Sequence, residues 1–127
     1  MARILSIVTE AYRATVEEQD DTVLWFTSMC GTAGLDVSVL LRGNAVNYAV
    51  RGHDASGLRF GAAAVQHPPV LDADLADLVA KGVEVHYVRE DLAERGVGEA
   101  RLIDGLKPLE RGELARLLAD FDQVWHW

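Results

Sequence analysis

One cysteine, Cys30, is all that the chain carries. A single thiol closes no internal disulfide, which excludes a disulfide-stapled secreted scaffold, and a lone thiol fits a reducing compartment; we expect a cytoplasmic protein. Basic residues are scarce as well. The 12 Lys and Arg face 20 Asp and Glu, for a net charge of −8, and no local run of Lys or Arg offsets it. An acidic surface repels phosphate groups, so neither nucleic acid nor an anionic membrane is an expected partner. No apolar stretch reaches the roughly 18–20 residues of a membrane span. The opening "MARILSIVTEAY" holds one Arg and an apolar run that stops at Thr9, too short for a signal peptide.

Several site motifs are also missing. There is no G-x-x-x-x-G-K-[ST], hence no P-loop, and no G-x-S-x-G nucleophile elbow. The string "GVGEAR" follows a helical stretch rather than a strand and has Arg101 where a dinucleotide fingerprint needs its third glycine. His53, His67, His86 and His126 lack metal-ligand spacing and have no second cysteine to join them, so we expect no metal and no cofactor. His86 and His126 sit in strand patterns as packed or edge residues, whereas His53 and His67 sit in a loop within reach of a pocket.

What is there is a chain of 127 residues, half of them hydrophobic, the size of one domain spanning 1–127. Apolar runs read as strands at Arg3 to Val8, Asp36 to Leu41, Val83 to Val88, Gly105 to Leu109 and Asp122 to Trp127. Helices are expected between them. The first covers about Val16 to Gly34, with Glu17, Glu18, Asp20 and Asp21 near its start and a core stripe of Val23, Phe26, Cys30 and Ala33. A second begins at Asn44 as N-cap and runs toward Gly52; a third is capped by Asp72 and ends at Lys81 before Gly82; a last one covers about Arg111 to Ala119. His53 to Val70 reads as a long loop with one helical turn near Ala62 to Val65. Strands alternating with helices imply an α/β fold, a parallel sheet of about five strands covered on both faces.

In such a sheet chemistry collects where a strand hands over to a helix. "VEVHYVREDLAERGV" is that kind of junction and offers Val88, Arg89, Glu90 and Asp91, with Glu90 and Asp91 suited to the positive end of the helix that follows. Paired carboxylates can also serve as general acid and base beside Arg89 when one is desolvated. Cys30 is the only soft nucleophile, and its place late in an apolar helix face raises a thiol pKa. A small buried hydrophobe is the plainer reading. Trp25, Trp125 and Trp127 read as core or subunit-interface residues, the last two on one face of the final strand.

Taken in order, the strings "ILSIVTEAY", "LLRGNAVNYAVRG", "GVEVHYV", "DLAERGV", "LIDGLKPLERGELARLL" and "DQVW" resemble the DsrE/DsrF-like family of sulfur-relay proteins, most of all its small YchN-type members. The resemblance implies a three-layer α/β/α fold with a mainly parallel five-stranded sheet, assembled as a homotrimer or homohexamer. In sulfur-carrying members a cysteine at the end of the third strand holds a persulfide received from a donor protein, since sulfane sulfur passes between thiols by exchange. That position falls on Val88, and a second cysteine of YchN-type relatives falls on Asp91. An aspartate of the family is replaced by Asn44.

A sulfur site without its nucleophile implies a non-catalytic binding or scaffold role around Thr9, Tyr12, Asn44, Val88, Arg89, Glu90 and Asp91, with a sulfur-relay protein or a small ligand as partner. The alternatives are sulfur transfer through Cys30 and an enzyme using Glu90 and Asp91. The apolar "FGAAAV" at Phe60 to Val65 and the aromatics Trp25, Tyr48, Phe60, Trp125 and Trp127 point to self-association, with the His53 to Val70 segment at or beside the contacts and the Val88 junction close to a subunit boundary.

Overall fold

In chain order the computed structural model runs β1 (Arg3–Val8), α1 (Thr22–Thr32), β2 (Asp36–Leu41), a 3-10 helix (Gly43–Ala49), β3 (Arg59–Phe60), β4 (Ala63–Ala64), α2 (Leu71–Ala80), β5 (Val85–Val88), α3 (Arg89–Glu94), β6 (Lys107–Leu109), α4 (Leu114–Ala119) and β7 (Gln123–His126). The structure describes residues 1–10 and 22–127, so Tyr12 and the acidic residues expected at the start of the first helix lie outside the described residues. Among the described residues no helix is long and apolar enough to cross a membrane.

The five expected strands form one sheet in the order β6-β5-β2-β1-β7, parallel at every pairing. This order explains the layers. Three successive crossovers, from β1 to β2 to β5 to β6, advance in one direction, and right-handed connections put α1, α2 and α3 on one face. The last crossover steps back over the sheet to β7 and drops α4 on the other face.

Side-chain alternation feeds both layers. Ile4, Val8, Val37, Val39, Leu41, Val85 and Tyr87 pack with Val23, Leu24 and Cys30 of α1, with Leu71, Leu75 and Leu78 of α2, and with Tyr48. On the opposite face Leu5, Ile7, Leu40, Val88 and Leu109 meet Leu114, Leu117 and Phe121. A strand buried on both sides reads as a continuous apolar run, which is why "DVSVLL" carries no polar alternation at its end. Each fully buried leucine contributes about 1.5–3 kcal/mol.

Four local expectations need correction. The residue at the cap of the 3-10 helix is Arg42, with no side-chain cap, and Asn44 lies inside its first turn. That helix ends at Ala49, and Val50 forms an isolated bridge to Leu102. Val70, not Asp72, stands at the cap of α2; Asp72 lies in the first turn and its Oδ2 accepts from the Gly52 amide at 3.0 Å. No helical turn forms at Ala62 to Val65. Arg59–Phe60 and Ala63–Ala64 instead pair as an antiparallel hairpin around a two-residue loop, for which Gly61 supplies φ of +64°. Finally, Phe26 and Ala33 are exposed, while the inward face of α1 is Val23, Leu24, Thr27, Ser28 and Cys30.

One buried group sets a pH dependence. His86 Nε2 is buried with no hydrogen-bond partner among the described residues, 3.7 Å from Glu84 Oε2, whose other oxygen takes Lys107 Nζ at 2.5 Å. Burial pushes the imidazole below its ordinary pKa despite the pull of Glu84. The folded state therefore favours neutral His86, while the unfolded chain takes up a proton near pH 6.5. The stability this group contributes is present above that pH and is lost as pH falls through it. Urea unfolding at a series of pH values is expected to show the unfolding free energy falling between about pH 7 and 5. His86→Leu flattens that fall; an unchanged slope would refute the assignment.

Candidate functional site

The C-terminal ends of β1, β2, β5 and β6 lie along one edge of the parallel sheet, because parallel strands all end on the same side. Val88 ends β5 and is fully buried, its side chain packed with Leu5, Ile7, Leu40 and Leu109. Helix α3 starts at the next residue, so Arg89, Glu90 and Asp91 occupy its first turn.

Asp91 is the central group of this edge. It is only 8% exposed. Its Oδ2 accepts from the Gly43 amide at 2.8 Å, and its Oδ1 accepts from Arg111 Nη2 at 2.5 Å. Burial alone would raise this carboxyl, but the Gly43 amide and the Arg111 guanidinium outweigh it and hold the pKa below the usual carboxylate range. Gly43 has φ of +55°, the left-handed region open to glycine, and a side chain there would sit 3.4 Å from the Thr9 carbonyl oxygen. The turn after β2 thereby presents its amide to Asp91.

The neighbouring charges are each occupied. Glu90 accepts from the Arg111 backbone amide with both oxygens, at 3.0 and 2.8 Å. Arg111 Nη2 also donates to Glu94 at 3.0 Å. Arg95 donates from Nε to Asn44 Oδ1 at 3.0 Å and from Nη1 to the Asp91 carbonyl at 2.9 Å. Arg89 turns away from this group and grips Glu99 with two hydrogen bonds, at 2.6 and 3.2 Å. Thr9 spends its hydroxyl on the Trp127 carbonyl at 2.7 Å.

The structure thus brings Asn44, Glu90 and Asp91 into one network with Gly43, Arg95 and Arg111, which the sequence reading did not single out. Val88 lies beneath that network, and Arg89 and Thr9 lie beside it. A glycine two residues past the end of an apolar strand was the available signal for Gly43. Two clefts flank the Arg89–Glu99 pair. One of about 440 Å³ is lined by Arg89, Glu90, Ala93 and Glu110. Another of about 360 Å³ includes Tyr87, Glu99, Arg51 and Asp104. His53 lines a third, of about 430 Å³, and its Nε2 lies 2.7 Å from the Asn47 carbonyl.

Cys30 is remote from all of this. Helix α1 runs opposite to the strands it connects, so its last turn sits at their N-terminal edge, the far side of the sheet from Val88. The thiol is buried, and burial raises its pKa. No group of three or more His, Cys, Asp or Glu among the described residues is arranged to hold a metal ion. Chemically, the edge offers two guanidinium–carboxylate clamps and, among the described residues, no thiol or hydroxyl nucleophile within the Asp91 network.

The profile of the DsrE/DsrF-like family matches residues 4–126. No curated protein matches the chain. Among solved structures, the ychN protein from E. coli superposes with a TM-score of 0.74 at 22% identity, covering 100% of both chains. MTH1491 from Methanobacterium thermoautotrophicum, a protein of unknown function, superposes with a TM-score of 0.61 at 17% identity, covering 98% of this chain and 99% of that one. Identities this low speak to the fold.

Proposed function

The chain belongs to the DsrE/DsrF-like family, and we propose that it is an oligomeric, non-catalytic relative of the intracellular sulfur-relay proteins, acting in the cytoplasm as a binding or scaffold module. The observation that carries this reading is Val88. The resemblance puts the family's sulfur-carrying cysteine at this position, and here it is a fully buried valine that holds no sulfur. Asp91, at the position of the second cysteine, forms no persulfide and has its two oxygens taken by Gly43 and Arg111. An acid–base role for Asp91 would require those donors to let go first. Cys30 is buried at the opposite edge of the sheet, which weighs against its use as a carrier. The module closes as a homotrimer or homohexamer, and its partner, a relay protein or a small ligand, meets the cleft of Arg89, Glu90 and Glu110.

Persulfide tagging and mass spectrometry after incubation with a sulfur donor test the reading. The native protein is expected to gain no sulfur, and Cys30 to react only after denaturation. Robust modification of the native chain overturns it. Light scattering at micromolar concentration tests the assembly, and a mass near 13.9 kDa means that the protein does not assemble.

A further inference from the structure

We propose that the cleft between Arg51 and Arg101 is a binding site for a small organic phosphomonoester, with the two guanidinium groups holding the phosphate. The backbone brings these arginines together. Val50 and Leu102 form an isolated antiparallel bridge, flanked by hydrogen bonds from the Arg51 amide to the Arg101 carbonyl and from the Ile103 amide to the Ala49 carbonyl, both at 2.9 Å. Arg51 therefore stands directly opposite Arg101. Residues paired in this way share a face, and because Leu102 packs into the core the two arginine side chains go to the solvent side, where both line a cleft of about 430 Å³. Val97 and the partly buried Val50 add an apolar stretch to its wall.

Like charges set directly opposite one another are unfavourable, and little in this chain offsets them. Arg51 Nη2 donates to Asp104 Oδ1 at 2.7 Å, but the Asp104 side chain is 98% exposed, and an ion pair in that much water contributes little. Arg101 forms no ion pair among the described residues. Asp54, the carboxylate in the cleft wall, is committed to its own turn, where its Oδ1 accepts from the Ser56 amide at 2.9 Å. A chain of net charge −8 thus keeps two guanidinium groups side by side with one weak counter-ion.

The walls are fixed before anything binds. Arg101 ends the 3-10 turn Glu99–Arg101, which Arg89 pins through its two hydrogen bonds to Glu99. On the other wall Asp72 holds the Gly52 amide, and His53 Nε2 donates to the Asn47 carbonyl at 2.7 Å, which sets the imidazole in the lining. Planar guanidinium forks match phosphate oxygens two at a time, and a pair already in place binds them at a lower cost in ordering. The volume fits a small molecule. Overall acidity repels a nucleic-acid backbone, whereas a single phosphate in the cleft lies within a Debye length, about 8 Å, of both arginines. The site shares no residue with the Asp91 network and does not rest on the role proposed above.

Isothermal titration calorimetry of the full chain with phenyl phosphate, inorganic phosphate and benzoate, at one ionic strength, tests the site. One saturable site is expected, with phenyl phosphate bound more tightly than inorganic phosphate because Val50 and Val97 meet the ring, and more tightly than benzoate because two guanidinium groups face a dianion. Arg51→Gln and Arg101→Gln are each expected to weaken phenyl phosphate by about tenfold or more. Arg116→Gln, on α4 across the sheet, makes the same change of charge and should bind as the wild type does. Absence of saturable binding overturns the proposal, as does an equal loss in Arg116→Gln or undiminished binding in the Arg51 and Arg101 variants. Benzoate bound as tightly as phenyl phosphate, or inorganic phosphate bound more tightly, overturns the choice of ligand. Should Arg51→Gln misfold on losing Asp104, Arg101→Gln decides, since its guanidinium holds no ion pair among the described residues.

Discussion

Asp91→Ala is expected to lower the unfolding free energy by about 2–3 kcal/mol, with a fall in melting temperature on the order of 10 °C. The cost is not that of one ion pair. Arg111 is nearly half exposed, and its attraction to Asp91 is screened accordingly. Most of the loss lies at Gly43, whose amide donates to Asp91 Oδ2 and would be left without its acceptor in the partly buried turn after β2. Arg111→Met leaves that hydrogen bond in place and should cost only about 1 kcal/mol or less. A mere favourable charge at a helix start would make Asp91→Ala worth a few tenths of a kcal/mol, so a loss below about 0.5 kcal/mol would refute the keystone role. Because the folded pKa of Asp91 lies below the ordinary value, its contribution is whole above about pH 4 and disappears as pH falls further. Chemical denaturation at pH 7 and at acid pH, at one protein concentration, measures both effects.

Gly105→Ala is expected to cost about 2–4 kcal/mol, although it adds a single carbon. Gly105 has φ of +87°, where an L side chain is strained, and a Cβ built there would lie 2.7 Å from Val79 Cγ1 on α2. Val79 is β-branched and stiff, so it cannot swing aside within its rotamer. Either the turn before β6 or the last turn of α2 must move. The contact predicts coupling: in the Val79→Ala background the same substitution should cost less by about 1 kcal/mol or more, the remainder being backbone strain. Additive losses in the two variants would show that the crowding is relieved without consequence.

The legible parts of this fold are those whose signal is local and long. Val37, Val39 and Leu41 face one layer while Leu40 faces the other, so β2 announces itself as a buried strand within six residues. The hairpin at Arg59–Phe60 and Ala63–Ala64 does not, because two residues per strand show no period, and "GAAA" suits a helical turn equally well. On α1 the choice between Phe26 and Leu24 as the core residue depends on how the helix is rolled against the sheet. Neighbouring elements set that roll, and spacing alone does not contain it. Asn44 fails as a cap for a related reason: its side-chain oxygen is engaged by Arg95, 51 residues away.

The candidate site divides the same way. The junction after Val88 is visible as a strand running into a helix, but Asp91 finds its partners 48 residues back and 20 residues ahead. A sequence without its fold cannot choose Gly43 and Arg111 from the other glycines and arginines. What the strings did carry was their order along the chain, and the family profile over residues 4–126 bears out the resemblance they suggested.

The neighbourhood of β1 and β7 matters during synthesis. Ile4 aligns with Gln123, so one side of an interior strand is completed by residues translated 119 positions later. At roughly 5–20 residues per second that is a delay on the order of ten seconds. Throughout it β1 can join β2 on one flank, while its other flank and the apolar side chains of Leu5 and Ile7 wait for Gln123–His126 and α4. The nascent chain therefore carries an open, sticky margin until its last strand is made, and the half-finished sheet is the state in which this protein most needs shelter from its neighbours on the polysome.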